Sequence, residues 1–195
     1  MDEMKTALER AMERADRLGK ASEEDQRQWK YRPEGEKLAA MHLRDECDLV
    51  AEVGKYDDQA RAYVVGAALE ILLRSIDLPK NEATKRATRK AMEAIKELKR
   101  DKVAVENAYT KLRRVFNHYE QEGEQQRRQV YEELKADVEA KLRQIAQQQG
   151  YPAQARMNLE SQPQFQQEWR RALAQLDGQY LKLLDEYKQE IASIP

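Results

Sequence analysis

Between residues 165 and 194 the apolar side chains Phe165, Trp169, Leu173, Leu176, Tyr180, Leu183, Tyr187, Ile191 and Ile194 return every three or four positions. That is the period of a long helix that must lay one stripe against another helix. A second stripe lies upstream: Val130, Leu134, Val138, Leu142 and Ile145 keep similar spacing. Val105, Tyr109, Leu112, Phe116 and Tyr119 precede them, with the polar interval Gln121–Gln129 between. The spacing predicts one long helix from about 103 to 149, stopped by Gly150, Tyr151 and Pro152, with a loop running to Pro163. A short connection between two long helices sends the second back antiparallel on the first.

The segments before it are shorter and also helical in period. Met4, Ala7, Leu8, Ala11, Met12, Ala15 and Leu18 line one face of a helix over about 2–18, ended by Gly19. Ser22 followed by Asp25 suits the cap of a short turn that ends before Trp29, Tyr31 and Pro33. Pro33 then fits the first turn of a second helix, about 34–53, ended by Gly54. Asp57 caps a third, the most apolar, running to about Asp77. The Leu78-Pro79 break separates it from a fourth, about 80–100, whose apolar side is mostly alanine. A tight turn at Asp101 is expected before the long fifth helix, because a helix of about seventy residues would be far outside the ordinary range.

The fold expected is therefore all-α: an N-terminal helical bundle over 1–120, followed by a long antiparallel helical hairpin, a coiled-coil-like arm over 121–195 continuing from the fifth helix. Glutamine marks the change, since 16 of the 19 glutamines follow Tyr119. Only 7 glycines and 5 prolines leave little turn-forming material for a many-stranded fold.

Composition also narrows the function. Net charge is -1, so no overall positive excess advertises nucleic acid or an anionic membrane. The single cysteine, Cys47, cannot form an intramolecular disulfide and reads as a small buried hydrophobe; the cytoplasm is the expected compartment. The start has no apolar signal core, and the most apolar stretch, 62–73, is interrupted by Glu70 and too short to span a bilayer.

No Gly-rich phosphate loop, Cys-x-x-Cys or His-Glu-x-x-His is present. Both histidines precede a glutamate by four positions, His42 with Glu46 and His118 with Glu122. Two such helix faces in opposition would form a divalent-metal site, but in a chain with 36 acidic residues the expectation is two solvated pairs, with no metal and no cofactor. The stretch 80–114, the fourth helix and the start of the fifth, is locally basic, through Lys85, Arg86, Arg89 and Lys90 and on to Lys111, Arg113 and Arg114. Such a stripe can meet phosphates, yet interspersed acids make a solvated face the readier explanation. Trp29 and Tyr31, beside Pro33, either pack under the bundle, the favoured reading, or mark a contact surface.

The run Met4-Lys5-Thr6-Ala7-Leu8-Glu9-Arg10-Ala11-Met12-Glu13-Arg14, the Ile76-Asp77-Leu78-Pro79 break and the Phe165-x-x-x-Trp169 helix resemble a family of uncharacterised bacterial helical proteins. The resemblance implies a bacterial, cytosolic, helical protein and carries over no activity, cofactor or catalytic residue. The expectation is then a non-enzymatic interaction or scaffold protein that binds a protein partner or itself through the C-terminal hairpin. An RNA- or ribosome-associated factor using 80–114 is the alternative, and a metal-dependent enzyme on the two histidines a third.

Overall fold

A computed structural model describes residues 22–149 and 159–195. The expected helix over 2–18 and the stop at Gly150–Pro152 lie outside the described residues. Among the described residues the chain is all-α, with no strand. The elements are α1 (Glu23–Leu43), α2 (Leu49–Val53), α3 (Asp58–Ser75), α4 (Glu82–Leu98), α5 (Lys102–Glu120), α6 (Glu122–Gln149), a 3-10 turn (Leu159–Ser161) and α7 (Pro163–Ser193). No helix among them is long and apolar enough to cross a membrane. Two compact units divide the chain, the first ending at Leu72 and the second running from Leu73 to Pro195.

In the first unit, Ser22 and Asp25 form a reciprocal capping box, with the Asp25 N–H donating to Ser22 Oγ at 3.1 Å. The helix they start is much longer than the short turn expected. It runs through Pro33 to Leu43, so Pro33 is interior and not in a first turn. Pro33 is exposed, and the backbone carbonyl its ring deprives of a partner belongs to the exposed Trp29, where water can replace the lost bond. The expected helix over 34–53 is thus two pieces, parted at 44–48. There Asp45 takes a left-handed φ of 65° and Asp48 caps α2 through the Val50 and Ala51 N–H groups. Gly54 ends α2, and Asp57 caps α3 by accepting from the Ala60 N–H at 2.9 Å. Leu38, Ala39, Leu49, Val53, Ala60, Val64, Ala67, Ala68 and Leu72 form the core. Gly35 lets α1 approach α3 closely, since a Cβ there would overlap the Val64 carbonyl oxygen and lie 3.0 Å from the Ala67 Cβ.

In the second unit, Asn81 caps α4 after the Leu78-Pro79 break, and Asp101 caps α5, accepting from the Ala104 N–H at 2.9 Å. The tight turn expected at Asp101 is present. Only Gln121 separates α5 from α6, and helical hydrogen bonding passes through it, the Gln125 N–H donating to the Gln121 carbonyl at 3.2 Å.

α7 runs antiparallel to both α5 and α6. The pairs that meet are Tyr131 with Phe165 and Trp169, His118 with Tyr180, and Lys111 with Glu190. At the far end the Arg100 and Asp101 N–H groups donate to the Pro195 carbonyl. Buried Lys99 donates its ammonium to the Ala192 and Ile194 carbonyls, neutralising the negative end of α7. α4 and α5 share one compact unit with the two long helices. The polar interval is no gap in the packing: Gly123 is buried, and the Tyr180 hydroxyl stands where its side chain would be, 3.1 Å from an added Cβ.

Candidate functional site

Of the residues singled out in the sequence, Trp29 and Tyr31 belong to the first unit and Lys85, Arg86, Arg89 and Lys90 to the second. Trp29 is 68% exposed, so it does not pack under the bundle. Tyr31 is half-buried, edge-on to Tyr56 at 6.2 Å with the Lys30 ammonium 4.9 Å from its ring. On α4, Lys85 bridges Glu82 at 2.9 Å and Glu120 at 2.6 Å, and these two hydrogen-bonded carboxylates, Glu120 foremost, push its pKa up to about 12. Arg86 and Arg89 are exposed and Lys90 is half-buried. Farther along the basic stripe, Lys96 and Arg113 both clasp Glu106, at 2.9 and 2.6 Å, and Lys102 pairs with Glu97 at 3.0 Å. Those cations are spoken for by carboxylates of the same helices, which lowers the stripe's capacity for phosphates. A cleft of about 490 Å³ lies between α4 and α5, with rims of both signs and a floor of Met92, Tyr109 and Phe116.

Each histidine turns its Nδ1 to a group other than the glutamate four positions on. His42 Nδ1 lies 3.2 Å from the Cys47 carbonyl, while Glu46 pairs with Arg44 at 2.8 Å beyond the end of α1. His118 turns its Nδ1 to the Tyr180 hydroxyl at 2.9 Å. Among the described residues no group of three or more His, Cys, Asp or Glu side chains is placed to hold a metal ion.

Two surfaces in the second unit stand out. The first is the α6 stripe. Val130, Leu134, Val138 and Leu142 are each only half-buried, and Ile145 is 48% exposed. Trp169 lies against Tyr131, so the stripe's later members stand beyond the level at which α7 begins its aromatic contacts.

The second is a groove of about 400 Å³ between α5 and α7. Lys111, Arg114 and His118 stand on its α5 side, at the three- and four-residue spacing of one helix face; Tyr180, Leu183 and Tyr187 stand on its α7 side. Tyr180 is fixed there by His118 and by an edge-on contact with Tyr119 at 5.1 Å, and the Arg127 guanidinium covers the Tyr119 ring at 4.2 Å. Burial pushes the Tyr119 hydroxyl up to about 12 and raises Tyr180 as well. Leu183 is 41% exposed whereas its neighbour Leu184 is 1% exposed, so the heptad position expected at 183 faces the groove and Leu184 enters the core. The doubled Leu183-Leu184 is the sequence signal for this: adjacent leucines cannot share one helix face, so such a helix has a second apolar face to use.

No curated protein and no solved structure matches the chain. A match to the Family of unknown function (DUF6657) extends over residues 50–193, covering α3 through α7 and both surfaces, and the chain belongs to that family.

Proposed function

We propose that this is a non-enzymatic interaction protein that associates with a second copy of itself through the α6 stripe. The single observation that carries the reading is that an apolar stripe five members long has no member fully buried. Surfaces of that kind, rimmed by charges, are covered by a partner in working proteins.

The charges beside the stripe favour a second copy. Level for level, an antiparallel copy centred on Ala140 sets Val138 against Leu142, Asp137 opposite Arg143 and Glu139 opposite Lys141. All four charged residues lie on the rims, and Arg143 is free to move, since its intrachain pair with Glu139, 3.5 Å, is exposed. Such an interface is self-complementary about a two-fold axis, so it closes as a dimer and does not propagate.

Sedimentation velocity over a concentration series tests the reading. The chain of 22.8 kDa should approach twice that mass as concentration rises, and Leu142→Glu should keep it at one-chain mass with unchanged helical circular dichroism. A wild-type chain that stays at one-chain mass throughout would contradict it.

A further inference from the structure

The groove between α5 and α7 has features that packing the fold does not require. Leu183 is exposed on a helix whose core positions are already filled by Tyr180, Leu184 and Ile191. Facing it across the groove, Arg114 makes no hydrogen bond or ion pair among the described residues, and Lys111 reaches only the exposed Glu190–Lys111 pair at 2.7 Å. His118 spends Nδ1 on the Tyr180 hydroxyl. When that hydroxyl donates, the proton of the ring sits on Nε2, a donor with no partner among the described residues. Cationic or donor groups therefore stand with Val115 on the α5 wall, and Tyr180, Leu183 and Tyr187 stand with the polar Gln179 on the other.

We infer that the α5–α7 groove binds an acidic amphipathic segment of a partner protein, its carboxylates meeting Lys111, Arg114 and His118 and an apolar side chain entering between Tyr180, Leu183 and Tyr187. The wall of three donors at one-face helical spacing matches carboxylates repeated at three and four positions, the same spacing read from the other side. Arg114 can take a carboxylate through two parallel N–H bonds, which a lysine cannot, so it is the group on which discrimination for acids depends most. The apolar wall discriminates against a plain polyanion, because a chain of phosphates offers nothing to cover Leu183. This face is separate from the α6 stripe, so a chain that fails to self-associate still binds the segment, and the failure of either reading leaves the other standing.

The test is fluorescence anisotropy of the full-length protein with a short labelled peptide of glutamate and leucine at helical spacing. Its counterpart with glutamine for every glutamate serves as the uncharged comparison, and poly(U) RNA as the phosphate polyanion. The acidic peptide is expected to bind saturably. Arg114→Glu and Leu183→Ser should each weaken it on the order of tenfold. Arg86→Glu, which makes the same charge change at an exposed position on α4, should leave binding unaltered, and so should poly(U) added as a competitor. The glutamine peptide should also be weaker by about tenfold. No saturable binding, an equal loss with Arg86→Glu, insensitivity to Leu183→Ser, or poly(U) taking the peptide's place with the same dependence on Arg114 would each overturn the proposal. Circular dichroism melts of the two groove variants guard against misfolding, and since both side chains are exposed, neither change removes a core contact.

Discussion

The Tyr131 ring stands edge-on against Trp169, 5.2 Å between ring centroids and 77° between planes. Phe165 makes the same kind of contact one turn earlier, at 5.6 Å. These three rings fix the level at which α7 begins to pair with α6, and they place Trp169 about three turns from Leu142, the neighbour that a short loop would give it. In a Trp29→Phe background, Tyr131→Ala should shift Trp169 emission to longer wavelength and cost about 2–4 kcal/mol in denaturant melts. Leu142→Ala should leave that emission where it is. A shift with Leu142→Ala and none with Tyr131→Ala would contradict this register.

Gly35 is buried in the middle of α1, where helix propensity alone would favour alanine. The Val64 carbonyl oxygen occupies the place of the missing Cβ, and it belongs to the backbone of α3, which cannot swing aside. Gly35→Ala should therefore destabilise by about 1–3 kcal/mol, against the sign of its propensity. Gly66→Ala, with nothing within 4 Å of an added Cβ, should be neutral to stabilising by up to about 1 kcal/mol. Urea unfolding of the two variants side by side gives the comparison.

Alkaline pH should unfold the second unit through its buried tyrosines. Burial raises the hydroxyl pKa of Tyr109 and Tyr119, the latter to about 12, above the ordinary value of 10.0. A raised folded-state pKa contributes stability that is whole below pH 10 and is lost as pH climbs through the folded value, because the unfolded chain gives up the proton first. Lys99 acts with the opposite sign: burial lowers its pKa from 10.5, so its contribution grows with pH up to that value and cannot cause the loss above it. The unfolding free energy from urea melts should fall steeply between pH 10 and 12, by roughly 1–3 kcal/mol for each buried hydroxyl, and the midpoint with it. Tyr119→Phe should flatten that fall. A midpoint equally steep in the variant would show that other groups govern it.

Much of the fold was legible because helix ends announce themselves locally. Ser22, Asp57, Asp101, Gly54 and the Leu78-Pro79 break act through their own backbone neighbours, so short-range chemistry is enough to read them. The misreadings have a different source. Pro33 ends helices only where its lost hydrogen bond cannot be replaced, and here the freed carbonyl lies on an exposed face beside Trp29. The break at Asp45 uses a left-handed residue that is not glycine, which the apolar pattern does not register. The register of α7 depends on an absent side chain at Gly123, which a scan for apolar positions counts as a gap and which in fact receives Tyr180. Of the groove, Lys111, Arg114 and His118 stood out as charges or as a histidine, but which of two adjacent leucines faces them is set by packing between helices distant in sequence.

The most direct measurement of the self-association reading is a charge swap across the α6 rim, read as the dimer dissociation constant by sedimentation. Asp137→Lys alone sets two cations face to face across the two-fold axis, with Arg143 opposite, and should weaken association on the order of tenfold. Adding Arg143→Glu restores opposite signs and should recover most of the wild-type affinity. A double variant as weak as the single one, or a single variant that associates as well as the wild type, would contradict an antiparallel pairing of α6 with its own copy.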